Sequence, residues 1–183
     1  ARTCFQVDNW QALNRKLVAE EIEFFVADTR QFESDPDYQV HKLTPQRWHF
    51  CCRAGHPLTE QEAVQARDLF DYPMATTFRP PNIRKILSDL SGRQDFLPAV
   101  ECEHGYALLN VVMHSDTIGI ACNANLRPYQ REGGLVQLKL ADLTPEQEEA
   151  CHTRYGVVSR VGYGLSPLAQ GLVRQLIACD TEM

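Results

Sequence analysis

From residue 73 to residue 140 short apolar runs alternate with stretches of helical period, and that alternation limits what the chain can fold into. PMATTF, PAVEC, TIGIAC and LVQLKL have strand length and strand composition. Between them PNIRKILSDLSG predicts a helix that stops at Gly92, HGYALLNVVMHS predicts a second, and NANLRPYQREGG predicts a short helix or turn. Strands separated by helices of this length predict an open α/β sheet, because a parallel strand needs a long crossover to return to its sheet.

The flanking residues predict a second series. CFQV reads as a strand, and DNWQALNRKLVAEE reads as a helix with Trp10, Leu13, Leu17 and Val18 on one face and Asp8 or Asn9 as cap. IEFFVAD reads as a strand again, so the opening predicts a parallel βαβ unit. Past the loop TRQFESDPD, YQVHKL and RWHFCCRA are two more strands, and the proline of HPL ends the second. From Thr59 the stretch EQEAVQARDLF predicts a helix. DLTPEQEEACHT is a connector or short helix, and RYGVVSRV is a strand. SPLAQGLVRQLIACD is an amphipathic helix with Ser166 as cap, Pro167 in the first position, and Leu168, Leu172, Leu176 and Cys179 at helical spacing.

RWHFCCRA and RYGVVSRV must cross between the two series. The expected architecture is therefore two Rossmann-like α/β subdomains joined by two crossing strands: residues 1–58 with 163–183, and residues 59–162. At 183 residues the chain is long enough for two small lobes. Ligands of open α/β sheets bind at the carboxyl ends of strands, so two such sheets facing each other predict a cleft suited to a hinge-bending binder of a small molecule.

Several chemistries are disfavoured. A net charge of −6 offers no basic patch to follow a phosphate backbone. No run approaches eighteen apolar residues, and ARTCFQV has neither a charged leader nor a small-residue cleavage site, so neither a membrane span nor export is expected. Seven cysteines, an odd number set mostly in apolar runs, predict buried free thiols in a reducing, cytoplasmic compartment. Cys51 and Cys52 are adjacent in HFCCRAGHPL, and neighbours on a strand point to opposite faces. His49 and Cys51 share a face, but no second Cys/His pair has zinc-finger spacing; no metal is expected. Cys102 and His104 form the one candidate thiol pair, set against the plainer reading of a strand-end cysteine beside a helix-start histidine. Glu20 with Glu21 and Glu148 with Glu149 read as solvated faces. Neither a GxGxxG nor a P-loop appears, Gly133 and Gly134 read as a turn, and no cofactor is expected.

Five segments in order carry a resemblance. WQALNRKLVAEEIEFFVAD, with Ile22 and Glu23 in the usual Leu-Asp place, HFCCRAGHPL, DLFDYPMATTF, VECEHGYALLNVVMHSDTIGIA and RYGVVSRVGYGLSPLAQGLVRQLI together resemble the effector-binding domain of LysR-type transcriptional regulators. That family has the type 2 periplasmic-binding-protein fold and is not enzymatic. The resemblance implies an effector cleft lined by Asn9 and Trp10, by Ala27, Asp28 and Thr29, by Thr76, Thr77 and Phe78, and by Glu103, His104 and Gly105, joined by Asn123. Helix N-termini favour negative charge, so the expected effector is an organic anion such as a small carboxylate. Many relatives have Ser or Thr where this chain has Trp10, which either packs on Leu13 and Leu17 or faces the cleft.

The family also places a strand and a helix before CFQV, and a winged helix-turn-helix before those. The first βα unit is thus expected to be absent from this chain, leaving a sheet edge for a partner chain to cover. A homo-oligomer, dimer or tetramer, is implied, with DNA bound only through the N-terminal domain. A solute-binding protein of the same fold is the alternative, and a thiol enzyme built on Cys102 and His104 is a more distant one.

Overall fold

The computed structural model describes residues 3–77 and 81–181. In chain order its elements are α1 (Trp10–Val18), β1 (Phe25–Asp28), β2 (Tyr38–Lys42), β3 (Gln46–Arg53), β4 (Met74–Thr76), α2 (Pro81–Ser91), β5 (Val100–Glu101), α3 (Gly105–Met113), β6 (Ile118–Cys122), α4 (Asn123–Arg131), β7 (Leu135–Gln137), α5 (Pro145–Ala150), β8 (His152–Thr153), β9 (Tyr155–Arg160) and α6 (Pro167–Thr181). The chain divides into two units, residues 1–46 with 153–183 and residues 47–152. It passes from one to the other at the start of β3 and within β8.

In the first unit β9 is the central strand, antiparallel to β1 on one side and to β2 on the other. The apolar faces of β1 and β9 bury Phe25 and Val158 against Leu13 and Leu17 of α1. Phe32 fills the middle, meeting Phe25 and Tyr38 edge-on at ring-centroid distances of 5.4 and 5.1 Å. Two expectations fail here. CFQV is not a strand: residues 3–9 carry no regular structure, and Phe5 is 81% exposed. The parallel βαβ unit is also absent among the described residues, because β1 takes its ladder from β9, far along the chain, rather than from the segment before α1. Strand composition is local, whereas a strand's partner is not.

The second unit is built on a sheet of order β5-β4-β6-β3-β7, with β8 pairing to β3. Strands β5, β4 and β6 run parallel, while β3 runs antiparallel to β6 and β7. Alternation along β3 puts Trp48, Phe50 and Cys52 on one face and Cys51 on the other. The first face packs on Leu69, Ile83, Leu87, Ile118 and Ile120. The second packs on Leu108, Leu109 and Val112 of α3 and Leu126 of α4. Gly119 permits the close approach of α3, since a Cβ there would stand 2.7 Å from Val112 Cγ2. Gly92 ends α2 with φ of +66°, as its position in the sequence predicts.

The stop after β3 has a physical cause. Buried His56 accepts a hydrogen bond at Nδ1 from the Leu58 N–H, capping a 3-10 turn at Pro57–Glu60. That bond fixes the tautomer, so Nε2 donates to the Asp116 carbonyl at 3.3 Å. The ring also meets Tyr72 edge-on at 4.5 Å. The helix expected from Thr59 is not formed. Residues 57–60 and Ala66–Asp71 are 3-10 turns, the second held by Gln65 N–H donating to Asp68 and by Ala66 N–H donating to Asp142 at 2.8 Å. Tertiary bonds to that segment outweigh its helical spacing.

Candidate functional site

Three parallel strands stand side by side in the order β5-β4-β6, so their carboxyl ends share one edge of the second sheet. The sequence-predicted residues of this unit gather there. Thr76 ends β4 and Thr77 follows it, while Glu103, His104 and Gly105 follow β5. The Cys102 N–H donates to the Thr76 carbonyl at 3.2 Å, tying the two strand ends together. Asn123 opens α4 directly after β6. A Cβ on Gly105 would lie 3.9 Å from Asn125 Nδ2, so α3 begins beside the first turn of α4. Phe78, also predicted to line the site, lies outside the described residues.

These helix starts are open. His104 is the N-cap of α3 and Cys122 that of α4, and neither makes a side-chain capping bond. The first-turn N–H groups of two neighbouring helices are thereby left for solvent or ligand at the strand-end edge. His104 and Glu103 are exposed, whereas Thr76 is buried and its hydroxyl donates to the Thr77 carbonyl at 3.0 Å. Behind Asn123, the half-buried His49 imidazole pairs Nδ1 with the Gln137 amide at 2.9 Å. Burial lowers its pKa from the ordinary value, the charge of Arg47 adds to this, and a contact from Asn123 works against it.

In the first unit the predicted residues lie at the start of α1 and at the turn after β1. Asn9 caps α1, its Oδ1 accepting from the Ala12 N–H at 2.9 Å. Trp10 is half-buried and meets Phe32 edge-on at 5.8 Å, joining the unit's core cluster. Ala27 is partly buried against the same cluster, and Asp28 caps the 3-10 turn Thr29–Gln31 through the Arg30 N–H. Thr29 is fully buried, and its hydroxyl is committed to Glu33 at 2.6 Å and to the Arg154 carbonyl. Glu33 is held below the usual carboxylate range by its hydrogen bonds from Lys42 and Thr29. Sequence reasoning passed over Arg30, whose guanidinium sits 2.9 Å from Asp28 Oδ2. A cation two residues past a strand-end aspartate was the available signal.

The proposed thiol pair looks different in space. Cys102 Sγ donates to the backbone carbonyl of His104 at 3.7 Å. Among the described residues no three His, Cys, Asp or Glu side chains come together to hold a metal ion, and no helix is long and apolar enough to cross a membrane.

Comparison with known proteins follows the same lines. The sequence family described as LysR substrate binding domain matches residues 4–178. The SDS degradation transcriptional activation protein of Pseudomonas sp. (strain ATCC 19151) is 33% identical over 173 residues, which are 93% of this chain and 55% of that protein. The chain thus spans about half the length of that relative. The effector-binding domain of QuiR in complex with shikimate superposes with a TM-score of 0.68 at 15% identity, over 96% of this chain and 79% of that one. The regulatory domain of Synechocystis PCC6803 CcmR in complex with 2-PG does so at 0.71 and 16%, over 96% and 81%. At these identities the likeness is one of fold, a periplasmic-binding-protein-like α/β architecture.

Proposed function

We infer the function from one premise: the chain belongs to the LysR substrate-binding domain family, whose members regulate transcription. It is the effector-sensing part of such a regulator and not an enzyme. A small molecule binds, favours one conformation over another by its differential affinity, and a DNA-binding domain of the whole protein reads the change. The regulator works in the cytoplasm as a homo-oligomer, a dimer or tetramer.

The candidate effector contacts within the first unit are Asn9, Trp10 and Asp28, and those within the second are Thr77, Glu103, His104, Gly105 and Asn123. Thr29 and Thr76 hold the backbone behind these contacts, since their hydroxyls are already engaged. The observation that carries the reading is the pair of uncapped helix starts, α3 and α4, at the shared carboxyl edge of β5, β4 and β6. Aligned N–H groups and the positive end of a helix dipole suit an organic anion. Shikimate and 2-PG, held by the two neighbours of the same fold, support a small acid as the class.

A thermal-shift screen of small organic acids tests this, because a ligand of the folded state raises the melting temperature with its concentration. The expected hit stabilises the 183-residue chain and loses most of that effect in Thr77→Val and in His104→Ala. A hit that stabilises both variants as well as the parent would move the effector elsewhere. No hit across the panel would end the organic-anion reading.

A further inference from the structure

A cavity of about 320 Å³ opens within the second unit, lined by β3, by the segment that follows β7 and by α5. None of the proposed effector contacts lines it, although His49 and Gln137, which stand behind Asn123, do. Among its lining residues, Trp48, only 2% exposed, and Arg47 each keep a buried donor without a hydrogen-bond partner, the indole Nε1 and the guanidinium Nε. Buried donors are almost always satisfied, so two among the lining residues of one cavity mark a place where an acceptor belongs. Phe50, Leu138, Leu140 and Leu143 give the cavity its apolar wall.

The charges select the acceptor. Arg47 and Lys139 line the cavity against a single carboxylate, Glu148, which Arg47 meets at 3.4 Å with both side chains substantially exposed. The balance is one positive charge, and so exposed a pair is held weakly enough for a ligand to compete with it. We propose that this cavity is a second ligand site, taking a small organic monoanion with an apolar body: the carboxylate accepts from Arg47 and Trp48, and the body lies on Phe50 and the leucines. Its size is at the small end for ligand pockets, and its few donors on an apolar wall are the usual composition of one. The site uses none of the effector contacts named above and does not depend on them.

The chain has two tryptophans, Trp10 in one unit and Trp48 in the other, so their indole N–H signals report the two places separately. Hexanoate is titrated into the ¹⁵N-labelled chain, with the Trp48 signal assigned by Trp48→Phe. The expected result is a saturable shift of the Trp48 signal, weakened about tenfold in Arg47→Gln, as for one lost charge-assisted hydrogen bond. Hexanamide, the neutral isostere, is expected to bind at least about tenfold more weakly for the same reason. Leu140→Trp, which fills the cavity, is expected to abolish the shift of the Trp48 signal.

An unmoved or unsaturable Trp48 signal would overturn the proposal, as would equal affinity in Arg47→Gln or for hexanamide. A shift confined to Trp10 would also overturn it, while leaving the effector reading intact. Conversely, a saturable Trp48 shift that survives His104→Ala supports the cavity even where the strand-end site fails.

Discussion

At the scale of single residues, the thiols of β3 show how placement sets chemistry. Burial, with a smaller contribution from its neighbour Cys52, pushes Cys51 up to about 12; burial, opposed by Arg53, pushes Cys52 to about 11, and burial, opposed by Arg47 and aided by Glu148, pushes Cys151 to about 11. In the unfolded chain the same groups ionise near 9.0, so the unfolded state gains from ionisation first as pH rises. The sign is therefore fixed: the contribution is complete below pH 9 and is lost as pH climbs through 9 toward 12. Urea midpoints measured at pH 8 and pH 10.5 should fall, and the fall should be smaller in the Cys51→Ala, Cys52→Ala, Cys151→Ala variant. In the same chain iodoacetamide at pH 8 should label exposed Cys4 and Cys179 well before the three buried thiols, as peptide mapping would show. Gly119 offers a purely steric counterpart. Alanine there must displace Val112 at the contact between β6 and α3, at a cost of about 1–3 kcal/mol in unfolding free energy.

At the scale of elements, the last helix depends on a carboxylate supplied from far away in sequence. Glu23 accepts from the Ser166 N–H at 2.6 Å and from its hydroxyl at 3.0 Å, while Ser166 Oγ accepts from the Ala169 N–H. A negative charge thus sits at the N-terminus of α6 and orients its cap. Glu23→Gln should keep the shape and lose the charge, lowering stability by about 0.3–1 kcal/mol at low salt and less at high salt. Urea titrations in 20 mM and 500 mM sodium chloride would show it; an equal loss at both would assign the effect to hydrogen bonding alone. The cap itself, Ser166 before Pro167, was legible in the sequence, because capping is a local matter. So were β2 to β7 and α2 to α4, whose periods change sharply at Gly and Pro. The turn at Ala66–Asp71 was not legible, since Asp142, which holds it, lies seventy-odd residues away in sequence. The failure of CFQV has the same origin, in a ladder partner that local composition cannot name. The strand-end positions of the candidate site came from the family resemblance, and the commitment of Thr29 to the Arg154 carbonyl was not legible, because it depends on a segment brought in with β9.

At the scale of the whole molecule, each unit carries its own core. Leu13, Leu17, Phe25, Phe32 and Val158 belong to the first, while the clusters around Trp48 and around Leu108 lie wholly in the second. Among the described residues each buried cluster lies within one unit, so cooperativity should be strongest inside a unit. Large-to-small changes make this measurable. Phe32→Ala should remove about 3–5 kcal/mol and Leu69→Ala about 2–5 kcal/mol, the usual range for fully buried side chains. Hydrogen exchange followed by mass spectrometry would then localise the loss. In Phe32→Ala, amides of β1, β2 and β9 should exchange faster while those of β3, β4 and β6 keep their protection; Leu69→Ala should give the reverse. Uniform acceleration in either variant would mean that the two units unfold as one body. For a sensor the distinction matters, because a ligand shifts an equilibrium only by its differential affinity for two states, and a unit that changes while the other keeps its fold supplies such states.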